Sequence, residues 1–189
     1  AQDVTDRKQI ELALKNSLKE AEFLAGIIEK THQPIGCGFP NGRLGFCNQA
    51  FCDLTGYSFD ELQRIDWSKE LTPPEWVDHE TRALQELIDT GEPVEYEKEY
   101  IHKNGTRIPI SLLVHVETDD HGVAQYYYAF ITDITERKLV ERKIHAEKAL
   151  AERYLNLAGV MFIGVDCEGN VNVANRKACQ VLECAPEDV

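Results

Sequence analysis

The spacing of apolar and polar residues divides the chain into short strands, short helices and two long helical stretches. Ile35 to Phe39 and Leu44 to Cys47 read as strands joined by a Pro-Asn-Gly turn, because Asn-Gly readily takes the positive-φ positions of a tight hairpin. Asn48 to Leu54 presents Ala50, Phe51 and Leu54 on one side and predicts a short helix. Ser58 and Glu61 have capping-box spacing, which predicts a helical turn over Phe59 to Gln63. Thr72 is placed to cap a longer helix that begins at Pro73 or Pro74, where the first amides have no intrahelical acceptor. That helix carries Trp76, Ala83, Leu84, Leu87 and Ile88 and stops at Gly91. The period then changes from helical to alternating. Val94 to His102, Thr106 to Val116 and Val123 to Thr132 predict three longer antiparallel strands, with turns at Asn104-Gly105 and Asp119 to Gly122. The fold class that follows is α+β, a five-stranded antiparallel sheet with short helices on one face and long connector helices at its flanks.

Both connectors show a heptad-like stripe. One copy reads Ile10, Leu14, Ser17, Ala21, Leu24, Ile28, and the other reads Val140, Ile144, Glu147, Ala151, Tyr154, Ala158 at the same spacings. Each stripe holds one polar residue, which weakens the seam. A parallel coiled coil between two copies competes with a single amphipathic helix lying on its own domain. Asp133 has the spacing of a cap with Glu136 and of a short-range ion pair with Arg137.

The connectors are also part of an internal repeat. Asp3 and Arg7 return as Asp133 and Arg137, and Gly42, Asn48 and Cys52 return as Gly169, Asn175 and Cys179. A period of this length is one small domain plus its connector, far beyond a solenoid repeat. The expected organisation is the tail of a preceding unit and its connector over 1–22, a complete unit over 23–134, a connector over 135–154, and the incomplete start of a third unit over 155–189.

Composition narrows the partners. The 189 residues carry a net charge of -13 and no stripe of Lys and Arg interleaved with aromatics, which argues against nucleic acid and against direct contact with an anionic membrane. No segment approaches the roughly 20 apolar residues that span a bilayer, so a cytoplasmic location is expected, one compatible with a membrane anchor elsewhere in a longer parent. Cys37, Cys47, Cys52, Cys167 and Cys179 sit in apolar or small-residue runs and read as small hydrophobes, not as a disulfide framework.

Three stretches carry a resemblance. The run Asn41 to Leu62 resembles the core motif of a PAS domain, Thr72 to Leu112 resembles its later half, and Tyr126 to Lys138, with its DIT-xR ending, resembles the exit into a signalling helix. The segment from about Leu155 onward resembles the start of another PAS domain. The resemblance implies sensing and relay: self-association through connector helices and domain surfaces, neighbouring PAS or effector domains as partners, and in some members a small-molecule ligand between sheet and helices. It places Asp133, Ile134, Thr135 and Arg137 in the relay. It also implies a parent such as a sensor histidine kinase or a diguanylate cyclase, with a ligand-free dimerisation or spacer module as the alternative.

Candidate pocket residues are Ile35, Phe46, Phe51, Leu54, Leu84, Tyr100, Ile110 and Phe130, all of them core candidates before they are ligand contacts. Haem-binding members draw an axial histidine from the long helix; His79 is near its start but about one residue out of step, a rotation of about 100°. The stretch where photoreceptor members carry a flavin-reactive cysteine, Leu62 to Leu71, contains none. No pair of histidines has metal-ligand spacing. His145 lies on a connector without the continuation expected of a phosphoacceptor helix, and no nucleotide-binding glycine box, catalytic triad or cyclase-like signature is visible. A catalytic centre is therefore not expected within these residues. The acidic runs Glu95 to Glu99 and Glu117 to Asp120 read as solvated faces.

Overall fold

The computed structural model describes residues 2–157 and 159–183, with side chains from residue 8 onward. Ala158 of the second stripe, Cys184 and the side chains of Asp3 and Arg7 lie outside the described residues. The chain divides into two compact units, Ala1–Thr135 and Glu136–Val189.

The first unit opens with α1 (Gln2–Lys30), followed by β1 (Ile35–Gly38), β2 (Leu44–Cys47), α2 (Gln49–Thr55), α3 (Phe59–Leu62), α4 (Trp67–Glu70), a 3-10 turn (Pro74–Trp76) and α5 (Val77–Thr90). Three long strands complete it: β3 (Val94–Ile101), β4 (Arg107–Thr118) and β5 (Ala124–Asp133). The five strands form one antiparallel sheet in the order β2-β1-β5-β4-β3, so the first and last strands lie side by side in its middle. The predicted fold class and strand order along the chain are observed, with ends shifted by a residue or two.

Local chemistry explains most boundaries. Asn48 accepts from the Phe51 amide and caps α2, and Gly56, at φ 75°, closes it in a left-handed conformation. Ser58 and Glu61 form the reciprocal capping box at α3. One expectation fails here. Thr72 does not cap the long helix: a 3-10 turn starts at Pro74, α5 begins three residues later, and the Thr72 hydroxyl is used inside the core. The sequence pattern also gave no sign of α4, which Asp66 caps by accepting from the Ser68 amide.

The helices α2 to α5 cover one face of the sheet. Phe51, Leu62, Leu71, Leu87, Ile110, Leu112 and Ile131 form the centre of the core between these layers. The described stripe of α1 takes no part in it. Ile10, Leu14 and Leu24 are more than half exposed, which is not how an amphipathic helix packed on its own domain behaves.

The second unit contains most of α6 (Thr135–Leu157), then β6 (Ile163–Val165), β7 (Val171–Ala174) and α7 (Arg176–Leu182). β6 and β7 pair antiparallel and α7 follows, a short version of β1, β2 and α2. Along α6, Val140, Ile144 and Tyr154 are exposed.

Candidate ligand-binding site

Two elements set the chemistry between sheet and helices in the first unit. Strand β3 pairs Tyr96 with Leu112, Lys98 with Ile110 and Tyr100 with Ile108, and its alternation aims Tyr96, Lys98 and Tyr100 at the helices. Helix α5 turns Glu80, Ala83 and Leu87 to the same space, the three- and four-residue spacing of one helical face.

A closed polar network results. The Lys98 ammonium pairs with Glu80 Oε1 and donates to Thr72 Oγ1 at 2.7 Å. The Thr72 hydroxyl donates to Glu80 Oε2 at 3.0 Å, and the Tyr96 hydroxyl donates to Glu80 Oε1 at 3.2 Å. The Lys98 side chain is wholly buried. Burial pulls the Lys98 ammonium below the ordinary lysine range, and the facing Glu80 charge opposes that shift. Burial first, and the Glu80 charge second, push the phenols of Tyr96 and Tyr100 well above the ordinary tyrosine range. The ammonium also stands 4.8 Å from the centre of the Tyr100 ring, which meets Phe51 edge-on at 6.1 Å.

Beside this network lies a cavity of about 50 Å³. Glu80, Leu84 and Phe51 line it from the helices, and Tyr96, Tyr100, Leu112, Val114, Tyr127 and Ile131 from the sheet. Gly36 and Gly38 of β1 keep the sheet wall thin, since a Cβ at Gly36 would stand 3.1 Å from the Phe51 ring and one at Gly38 only 2.6 Å from Trp67 Nε1. Trp67, from α4, completes the lining.

The structure sorts the candidate pocket residues. Phe51, Leu84 and Tyr100 line the cavity. Ile110 is fully buried in the core without lining it, and Ile35 and Leu54 are half-buried and do not reach it. Phe46 and Phe130 are corrections, since both lie on the opposite, open face of the sheet. Gly38 pairs with Leu44 and Cys37 with Phe46, so Gly45 is an extra residue that reverses the alternation of β2 and sends Phe46 outward. On β5 the inward residues are Tyr127, Ala129 and Ile131, which puts Phe130 outside with Tyr128, whose ring stacks on His115 at 4.7 Å.

His79 points out of the helix, edge-on to Trp76 and Tyr96, and its neighbour Glu80 takes the inward position. Neither haem nor flavin fits these residues. The one histidine of α5 faces away, and a cofactor of that size needs a pocket of several hundred Å³. Among the described residues, no group of three or more His, Cys, Asp or Glu is placed to hold a metal ion. Cys47 and Cys52 are buried with sulfurs 3.7 Å apart, and burial raises both thiols above the ordinary range, as small core residues behave. Cys167 departs from that expectation and is exposed.

Sequence reasoning missed Lys98, Glu80, Thr72 and Trp67. The signal for Lys98 was present, because it stands between two tyrosines on an alternating strand and so shares their face. Glu95 and Glu99 do lie off the core, with the Ser111 hydroxyl donating to Glu95.

The relay positions are placed as follows. Asp133 Oδ1 accepts from the Thr135 amide at 2.8 Å, and the amide of buried Ile134 donates to the Pro109 carbonyl at 3.0 Å. Arg137 lies 3.9 Å from Glu141 on the exposed surface of α6.

A single carboxamide joins α1 to the rest of its unit. Asn48 Nδ2 donates to the carbonyls of Ile28, Thr31 and Gln33, at 3.1, 3.4 and 2.8 Å, while Oδ1 accepts from the amides of Ile35 and Phe51. One side chain thus holds the end of the incoming helix, the first strand and the start of α2.

Comparison with known proteins fits this architecture. The family described as PAS domain matches residues 33–136. The probable diguanylate cyclase DgcE of Escherichia coli (strain K12) is 34% identical over 97 residues, which cover 50% of this chain and 9% of that protein. The hybrid signal transduction protein dokA of Dictyostelium discoideum is 34% identical over 96 residues, 50% of this chain and 6% of that protein. The matched region therefore spans less than a tenth of the length of either relative. A sensory box histidine kinase/response regulator structure from Burkholderia thailandensis E264 superimposes with a TM-score of 0.55 at 15% identity, covering 69% of this chain and 98% of that one, a likeness of fold alone.

Proposed function

The chain belongs to the PAS domain family, and on that premise we propose that it is a sensory and relay module that binds a small ligand and passes its state through paired connector helices. In this reading residues 23–134 are the complete sensory domain, 1–22 and 135–154 are connectors, and 155–189 begin a further PAS unit. The observation that carries the reading is the cavity between the sheet and α5, whose wall includes an aromatic cluster and Glu80, the acidic member of a buried ion pair. The inner-face strand β5 lines that cavity and ends at Asp133, two residues before α6 begins, so a shift in the cavity has a short path to the exit. Exposed apolar residues along α1 and α6 support self-association through the connectors.

In this reading the effector is a separate domain of a longer parent. The names of the two curated relatives, a probable diguanylate cyclase and a hybrid signal transduction protein, support a signalling parent, with a diguanylate cyclase as one candidate effector. No helix among the described residues is long and apolar enough to cross a membrane.

A ligand-free spacer is the second reading, and the small size of the cavity favours it. Native mass spectrometry of freshly purified protein, beside its absorption spectrum, separates the two. A bound mass that is released on denaturation supports the sensory reading. A clean protein mass, with no small molecule from a cell extract raising the Tm, supports the spacer.

A further inference from the structure

We propose that the cavity recognises a small, neutral, largely apolar molecule bearing one hydrogen-bond acceptor, with the Trp67 indole N–H as the donor that fixes it. The inference rests on the ligand-binding reading above and adds the chemical class. Trp67 Nε1 is fully buried and has no protein acceptor within hydrogen-bonding reach, the only buried side-chain nitrogen or oxygen in that position among the described residues. An indole N–H can only donate, so what it lacks is an acceptor. A buried donor left without one is costly, and a ligand that supplies one gains that energy on binding.

The remaining walls exclude other classes. Glu80 is the charged group on the cavity wall, and its oxygens are already occupied: Oε1 by Lys98 and Tyr96, Oε2 by Thr72. A cation finds its countercharge already neutralised by Lys98. An anion would lie beside the Glu80 carboxylate in a poorly solvated space. Phe51, Leu84, Leu112 and Ile131 accept only apolar surface. The volume of about 50 Å³ exceeds the roughly 10–15 Å³ that one water needs and falls short of the roughly 150 Å³ cavity that takes benzene. It suits a short carbonyl compound or ether rather than a ring system. Gly38 belongs to the same device, because its missing Cβ leaves the space that the indole nitrogen occupies.

The test uses the whole 189-residue chain, ¹⁵N-labelled, titrated in parallel with acetone and with isobutene, a molecule of the same shape without the acceptor. The Trp67 and Trp76 indole signals are assigned with Trp67→Phe. The expected result is a saturable downfield shift of the Trp67 indole proton with acetone, absent with isobutene. Trp67→Phe reshapes the wall for both probes but should weaken acetone about fivefold more than isobutene, the extra loss being that of one hydrogen bond. The two probes on unmodified protein decide the matter even if that variant does not fold. Equal binding of both probes, with the Trp67 indole unmoved, overturns the donor assignment and leaves the ligand reading standing. No response of the cavity-lining residues to either probe overturns both.

Discussion

Lys98 and Glu80 form an ion pair inside the core, with no exposed side-chain surface on the lysine and only 7% on the glutamate. Such a pair gains its attraction against the large cost of taking two charges out of water, so its net contribution to stability is small, while breaking it is expensive. Together with Thr72 and Tyr96, the pair ties α5, the segment before the 3-10 turn and β3 into one unit at the edge of the cavity.

Lys98→Met should lower stability by about 3–5 kcal/mol, because it leaves the Glu80 carboxylate buried without a countercharge. The double variant Lys98→Met with Glu80→Leu should recover most of that loss. Urea unfolding of the single and double variants checks both expectations, and a double variant as unstable as the single one would contradict the desolvation argument.

Asn48→Asp keeps an acceptor for the Phe51 amide but removes the N–H groups that face the carbonyls of Ile28, Thr31 and Gln33. A loss of about 2–3 kcal/mol is expected from the unsatisfied and repelling oxygens. Hydrogen exchange should show the last turn of α1 losing protection before α2 does. Asn175 makes the matching set of bonds, from Nδ2 to the carbonyls of Leu155 and Val160 and from the amides of Phe162 and Ala178 to Oδ1, so Asn175→Asp should loosen the second unit in the same way.

The carboxyl of Glu61 should titrate near pH 2. Hydrogen bonding from the Lys103 ammonium, then from the Ser58 amide, holds it down from 4.5 to about 2. Its folded-state pKa is depressed, so its contribution to stability is complete above about pH 4.5 and is lost as the pH falls toward 2. Lys103→Met should move the midpoint back up, measured by the carboxyl carbon shift in an NMR titration.

Changing Ile144 and Ala151 together to Asp should convert a dimer to monomer in analytical ultracentrifugation, since both lie on the α6 stripe and are exposed. A variant that stays as dimeric as before would rule out pairing through this helix.

Alkylation of the native protein, mapped by peptide mass spectrometry, should modify Cys167 well before Cys47 or Cys52. Cys167 is exposed, whereas burial blocks access to the other pair and raises their thiols, leaving less reactive thiolate.

The elements and their order were legible in the sequence, because they depend on local rules. Ser58 with Glu61, Gly91 after α5, and the change from helical to alternating period before Val94 each act within a few residues. The repeat of Asn48 at Asn175 was also readable, although the five-bond hub at Asn48 was not. Which face each strand presents, and what the core encloses, came only from packing in three dimensions. The extra residue at Gly45 reversed Phe46, a reversal that alternation cannot signal. Thr72 left its expected capping role because Glu80 and Lys98, 8 and 26 positions away in the chain, offered its hydroxyl two charged partners out of water. The buried N–H of Trp67 likewise exists only because β1 passes over it at a glycine. Contacts of this kind join residues distant in sequence, and no pattern within a single helix or strand encodes them.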